Sequence, residues 1–407
     1  MTPQVTVVIP CFNQASYLPY AVESVLAQTL DDFEAIIVDD GSTDETPQIA
    51  ASFTDARIRY VRQENRGLAG ARNTGIRHAR ADLIALLDAD DLWHPRFLAT
   101  MVSTLDAHPE AAATYCGFQY IDRDGHPVGK PSVRVVAPER FLETLICQGN
   151  WLSACSVVMR KRYAEEVGLF DETLHAVEDA DLWARLAIKW PFIGVHAALV
   201  YYRRHGGNMS GQAQRMVQAS LQSTAKLFGP PVGDPSGWPP LKRCAYARAH
   251  RSAIIRFLAA GELALCREHV RSLIAIAPEG MRQLEFWRQV IRAHLPWEYQ
   301  DLPERIDWRA AQRDVMRILG MVEETSTAGH EVRLAPGAAR LALAQMARIR
   351  GHPREAWRWA LRAAASCPSV IIWRMFWGTL VYALRDGMRS ARSAEHGTQM
   401  VTPTRSP

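Results

Sequence analysis

The run Leu86-Leu87-Asp88-Ala89-Asp90-Asp91 places three carboxylates within four positions, directly behind a short apolar segment. Ile84 to Leu87 reads as a buried strand of a parallel sheet, and such sheets present ligands at the carboxyl ends of their strands. Acids crowded there repel one another and call for a cation. An oxygen-only cluster suits a hard divalent ion, Mn2+ or Mg2+, which commonly arrives with a phosphate-bearing substrate. A blander reading makes Asp91 the N-cap of a helix over Leu92 to Leu105, with Pro95 in its first turn. Capping needs one Asp and not three, so the cation-binding reading is preferred.

Two earlier segments repeat the arrangement. Val5 to Pro10 is a β-branched run continued by Cys11, Phe12 and Asn13, and Glu34 to Val38 is a second, followed by Asp39-Asp40-Gly41-Ser42-Thr43-Asp44. Between them Leu18, Ala21, Val22, Val25 and Leu26 recur at helical spacing, so the segment reads β-α-β. Acidic and turn residues again fall just beyond a strand end. Asp40 can accept hydrogen bonds from a base or ribose there, and Gly41 allows a tight turn. The same residues also fit an ordinary turn with Asp44 as a helix cap.

Taken together, these segments resemble the family 2 glycosyltransferases. The matching pieces are VVIPCFN (7–13), IIVDDGSTD (36–44), NRGLAGARNTG (65–75), LLDADD (86–91) and VEDADLW (177–183), in the family's order and over about the first 210 residues. The resemblance implies an α/β protein of GT-A fold, a Rossmann-like three-layer α/β/α sandwich with a mixed, mainly parallel sheet. It implies an enzyme that moves a sugar from a nucleotide diphosphate donor, a UDP-sugar being favoured, to a hydroxyl acceptor with inversion. Carried over by position, Pro10 and Phe12 would line the base pocket and Asp40 would bind the base. Arg72 would approach the nucleotide, although the amphipathic look of Ala69 to Arg80 also fits a surface arginine. Asp88 and Asp90 are the acids of the D-x-D motif around Ala89, contacting donor and metal, with Asp91 beside them. The chemistry agrees independently: a departing nucleotide diphosphate gains negative charge that a bound cation stabilises.

The remaining part is a general base. Glu178-Asp179 opens an apolar helical stretch holding Leu182, Trp183, Leu186 and Ala187. The resemblance makes Asp179 the base that takes the acceptor's proton, with Glu178 and Asp91 offered for the acceptor pocket. One carboxylate suffices when the leaving group needs a metal rather than an acid. The alternative is a capping acid, whose pKa the helix dipole would lower. The segment Tyr201 to Ser210 carries two arginines, His205 and two glycines, fitting either a basic lid on the diphosphate or a surface loop. Trp151, in the irregular stretch from Gly117 to Leu152, could stack on a sugar or fill core.

The net charge of +4 hides a split: residues 1–210 carry 19 basic against 27 acidic residues, and residues 211–407 carry 28 against 16. The acidic half suits a metal site. The basic half, with two lysines among its cations, suits an anionic surface or reflects an arginine-rich composition. Seven scattered cysteines without a CxxC pair argue for reduced thiols. With strand one almost at the N-terminus, a cytoplasmic protein is expected, peripheral at the inner membrane face where it touches lipid. The expected organisation is a catalytic domain over 1–228, a Pro/Gly-rich linker over 229–240, a helical region over 241–392 and a disordered tail over 393–407. Within the helical region the Gly261 to Pro278 and Gly351 to Pro368 intervals match, a weakly tetratricopeptide-like pairing. Val370 to Leu384 is apolar but short for a span, fitting a membrane-surface or a core helix.

The partners implied are a nucleotide-sugar donor and a saccharide or lipid-linked acceptor, in cell-surface polysaccharide or glycoconjugate synthesis, with no nucleic acid. A nucleotidyltransferase would need a glycine-rich loop where Cys11-Phe12-Asn13-Gln14 stands, and a dinucleotide oxidoreductase would need GxGxxG. The rival class is a non-catalytic nucleotide-sugar-binding scaffold whose helical region binds partners.

Overall fold

The computed structural model of the chain describes residues 2–205, 212–295, 303–325, 330–368, 376–379 and 381. Most of the 370–384 segment, the 206–210 end of the basic loop and the 393–407 tail lie outside the described residues. The chain divides into two compact units, Met1–Ala249 and His250–Pro407.

In the first unit, β1 (Val5–Cys11), β2 (Phe33–Asp39), β3 (Ile58–Arg62), β4 (Leu83–Leu86), β5 (Leu92–Trp93), β6 (Ala113–Ile121), β7 (Pro127–Ser132), β8 (Val157–Arg160) and β9 (Phe192–Arg203) share one sheet. The order is β3-β2-β1-β4-β8-β6-β9-β5, with β7 paired on β6. The sheet is mixed. β3, β2, β1 and β4 run parallel, as do β6 and β9, while β8 is antiparallel to both β4 and β6.

Alternation along the strands makes two cores. Val5, Val7, Ile9, Ala35 and Ile37 face one side, and Val8, Ile36, Val38, Ile84 and Leu86 face the other. The first side is covered by α1 (Leu18–Leu26), α2 (Thr46–Ser52) and, later in the chain, α4 (Phe97–Ala107). The second is covered by α3 (Gly67–His78), α5 (Pro138–Gln148), α6 (Lys161–Glu166) and α7 (Glu178–Ala187). This is the expected three-layer sandwich. Strands buried on both faces read as unbroken apolar runs, and each fully buried aliphatic side chain contributes about 1.5–3 kcal/mol.

Three expectations change. Asp91 caps no helix: the chain first adds the short β5 against β9, and α4 starts after Arg96. α3 is not amphipathic, because every residue from Ala69 to Ile76 is buried. The stretch from Gly117 to Leu152 is not irregular throughout; it holds the end of β6, the hairpin strand β7 and α5. The expectation of reduced thiols is corrected at Cys147 and Cys244, which form a disulfide across 97 residues of sequence. No spacing rule signals that pair, because only the packing of α5 beside α9 (Pro240–Ala260) brings the two together. The other five cysteines are buried.

The first unit also contains α8 (Ala213–Phe228), and α9 runs across the division between units. The second unit continues with α10 (Leu263–Ile276), α11 (Leu284–Ile291), α12 (Trp308–Thr325), α13 (His330–Arg333), α14 (Ala335–Ile349) and α15 (Pro353–Ser366). Its interior centres on Trp287, whose indole N–H donates to the Met281 carbonyl at 2.7 Å, and on the alanine-rich α14.

α3 lies on β1 without a gap, since a Cβ on Gly75 would meet Val8 Cγ1 at 2.2 Å. Gly75→Ala therefore sets a helix-propensity gain of at most about 1 kcal/mol against overpacking of about 1–3 kcal/mol. Overpacking wins because the obstacle is a β-branched side chain within a central strand. A net loss of about 1–2 kcal/mol in urea unfolding is expected.

Candidate active site

The parallel strands β1, β2 and β4 end on one edge, which gathers three loops there. The first two are laced together: Asn13 N donates to Ser42 Oγ at 3.0 Å, and Thr43 N donates to Asn13 Oδ1 at 2.8 Å. Asn13 reaches this position in the left-handed region, which Asn tolerates. Asp40 is buried behind the loops, its Oδ1 accepting from Gln63 Nε2 at 2.6 Å and from Arg66 N at 2.9 Å. Pro10 is buried within β1 opposite Val38, whereas Phe12 stands 45% exposed at the edge.

The third loop carries the acids. Arg72, only 2% exposed, donates through Nη2 to Asp88 Oδ1 at 2.8 Å and through Nη1 to Glu178 Oε1 at 2.7 Å. Its guanidinium also lies 5.4 Å from the Phe170 ring centre, while its buried Nε has no partner. Burial opposes its charge, but Asp88 and Glu178 outweigh burial and hold the cation firmly protonated. The burial of α3 thus removes the surface reading of Arg72. Asp90 Oδ2 sits 2.9 Å from His205 Nε2, and the His205 ring stacks on Tyr17 at 5.2 Å. Ala89 between the two acids is buried.

Asp91 does not reach an acceptor pocket. It is buried, its Oδ1 accepting from Arg203 N at 2.8 Å and its Oδ2 from the Cys155 thiol at 3.1 Å. Burial, with the charges of Asp90 and Asp88, pushes its pKa well above the usual carboxylate range. The Cys155 thiol is likewise pushed up by burial and by Asp88 and Asp91, so it remains a donor.

On the facing side Val177, at φ 54°, takes a backbone shape unusual for a β-branched residue and turns the chain into α7. Glu178 points inward to Arg72. Asp179 remains half-buried, with Oδ2 accepting from Asn150 Nδ2 at 2.9 Å and Oδ1 from the Ala180 N–H at 2.7 Å. Asn150 Oδ1 accepts from Leu152 N at 3.0 Å, which leaves its NH2 group for Asp179. The expected depression of the Asp179 pKa by the helix dipole is corrected. Burial and Glu178 push it up to about 7, against the opposing pull of Arg72. Trp151 packs edge-on against Phe141 and Tyr115, with Arg134 over its ring at 4.8 Å, so it serves the core beside α5.

A divalent cation fits this donor set. Asp88, Asp91 and Cys155 can bring ligand atoms within 4.8 Å of one another, and Asp90 adds a further carboxylate. Burial is the main cause of the raised Asp91 pKa, and the negative charge of Asp90 and Asp88 that adds to it is charge a cation would relieve. The oxygen donors favour a hard ion, and the protonated thiol adds little to it.

The site therefore has the parts of an anion-handling group-transfer enzyme: acids at strand ends, a buried arginine behind them and a tunable carboxylate opposite. Comparison with known proteins narrows the class. The model of "Glycosyl transferase family 2" matches residues 6–165. An uncharacterized glycosyltransferase of Rickettsia prowazekii is 30% identical over 220 residues, spanning 53% of this chain and 69% of that protein. The chondroitin synthase of Escherichia coli is 30% identical over 216 residues, 51% of this chain but only 30% of that protein. Among solved structures, the mannosyltransferase PcManGT of Pyrobaculum calidifontis, in complex with GDP-Man and Mn2+, is 20% identical and has a TM-score of 0.48. That alignment covers 90% of this chain and 87% of that one. The chain belongs to glycosyltransferase family 2. It is a glycosyltransferase with a GT-A catalytic fold and a helical C-terminal region.

Sequence reading missed Asn150, Cys155 and Tyr17 as site residues. None lies in an acidic motif, and each reaches the site only through the fold. Arg72 is the residue whose loss should be felt most. Truncating it leaves Glu178 buried and unpaired, so Arg72→Ala should cost about 3–5 kcal/mol in urea unfolding. The Arg72→Met, Glu178→Gln double variant should recover part of that loss, because the deeply buried charge at Glu178 is removed while the unpaired Asp88 keeps contact with solvent.

Proposed function

We propose that the chain is an inverting, metal-dependent glycosyltransferase that takes a UDP-sugar and transfers its sugar to a hydroxyl of a saccharide or lipid-linked acceptor. The observation that carries this reading is the single guanidinium of Arg72 holding Asp88 of the D-x-D motif and Glu178 at the start of α7 in one frame. The donor would bind beside the D-x-D acids and the base would act from the start of α7. Asp40 and the Phe12 edge would take the base and ribose. Asp88 and Asp90, with Asp91 behind them, would hold a Mn2+ or Mg2+ ion, which when bound supplies charge stabilisation for the leaving diphosphate. His205, held on Asp90, is positioned to donate to a phosphate oxygen.

Asp179 would accept the acceptor's proton as the hydroxyl oxygen attacks the anomeric carbon from the side opposite the nucleotide. Its raised pKa makes it a stronger base than an ordinary carboxylate, and Asn150 fixes the direction of its oxygen. A role in cell-surface polysaccharide or glycoconjugate synthesis fits the named relatives, one of which is a chondroitin synthase.

Donor binding is tested by thermal shift with UDP-, GDP-, CDP- and dTDP-sugars, with and without Mn2+. UDP-sugars with Mn2+ should raise the apparent melting temperature, and Asp90→Ala should abolish the shift. Stabilisation by another nucleotide alone would reassign the donor, and binding without turnover would leave a scaffold. For the base, the ionised form is the active one. With the Asp179 pKa at about 7, kcat/KM should rise through that pH and fall about tenfold per unit below it. Asp179→Asn should lower kcat by about 10²- to 10⁴-fold above about pH 7, a difference that shrinks at lower pH as the wild-type carboxylate protonates. A profile flat down to pH 5 would remove Asp179 as the base.

A further inference from the structure

Two helices of the second unit carry the same exposed pattern. α12 presents Arg309, Arg313, Met316 and Arg317 to solvent, and α15 presents Arg354, Arg358, Leu361 and Arg362 at identical spacing. At 100° per residue each set of four falls on one stripe of its helix. One acid adjoins the α15 set, Glu355, half-buried next to Arg354. Asp314 is buried, against Arg317 and His294, and the exposed acids Glu323 and Glu324 of α12 follow about two turns beyond Arg317. One residue of each stripe, Met316 and Arg362, lines a groove of about 510 Å³ together with Arg340, Trp359, Ala365 and Ser366. Met316 and Leu361 are 46% and 48% exposed between the arginines, and the Arg362 guanidinium lies over the Trp359 ring at 4.9 Å.

We propose that this arginine-striped face of α12, α14 and α15 docks on an anionic phospholipid bilayer. Charge complementarity selects a negative surface, since the six exposed stripe arginines outnumber the two acids beside them, Asp314 against Arg317 and Glu355 next to Arg354. The interleaved Met316 and Leu361 select lipid among negative surfaces. A polyanion in water rewards the arginines alone, whereas a bilayer also takes up apolar side chains at its headgroup boundary. Arginine suits this place because its stem can bury while its planar head stays on phosphate. The inference is independent of which sugar or acceptor the catalytic site uses.

The test is co-sedimentation of the full chain with vesicles of phosphatidylcholine alone and of phosphatidylcholine mixed with phosphatidylglycerol. Binding is expected to the mixed vesicles only, and added salt should weaken it. Arg354→Glu, Arg358→Glu and Arg362→Glu together should weaken it by about 100-fold, at roughly 1 kcal/mol lost per arginine near the surface. The matching Arg→Lys triple variant should retain most of it. Met316→Ser with Leu361→Ser should weaken it by about tenfold at unchanged charge. All these positions are exposed, and unchanged far-ultraviolet circular dichroism and donor-induced thermal shift would show the fold intact. Absence of binding, or binding untouched by the Arg→Glu set, would overturn the proposal. Binding that heparin or single-stranded DNA matches, with no effect of the serine pair, would also overturn it in favour of a soluble polyanion.

Discussion

The buried guanidinium of Arg72 is the constraint around which the catalytic unit is organised. It donates to Asp88 at the end of β4 and to Glu178 at the start of α7, tying two elements distant in sequence to one helix. A buried ion is costly unless paired and hydrogen-bonded, so the arginine makes both carboxylates tolerable and they offset its own burial. That requirement reaches back into the packing. α3 must lie flat on β1 for Arg72 to reach both acids, which is why Gly75 faces Val8 with no room for a side chain.

The same arrangement separates the carboxylates chemically. Asp91 is enclosed with a thiol and a backbone N–H and has its protonated form favoured by its acidic neighbours. Asp179 keeps an open edge, yet burial and Glu178 raise it towards neutrality. Environments that push like groups apart are how one fold assigns them different roles. Here one acid completes the strand-end cluster and another is placed to take a proton. Asn150 lies three residues beyond the disulfide-bonded Cys147, so the loop that aims the base follows closely on a covalent tie between α5 and α9.

The helical second unit has a different logic. α14 is almost wholly buried, and α12 and α15 turn matching arginine stripes outward. Among the described residues no helix is long and apolar enough to cross a membrane. An affinity for lipid in this unit would therefore be that of a surface, set by exposed arginines and two apolar side chains.

The β-α-β start, the strand ends and the acid motifs were legible because strands buried on both faces leave apolar runs and ligand-bearing loops must follow them. Helix positions in the second unit were legible for a related reason: their apolar spacing has a 3.6-residue period wherever they bury one face. The sequence by itself determined the family, the two-sided sandwich and the acids at its edge, all of them local patterns. Tertiary structure alone decided that Arg72 is internal, that Asp91 is enclosed by Cys155 and Arg203, that Cys147 meets Cys244, and that Asp179 has a raised pKa. Each of those depends on which distant groups share a dry space, and burial and Coulomb interaction follow distance in the fold, not separation along the chain.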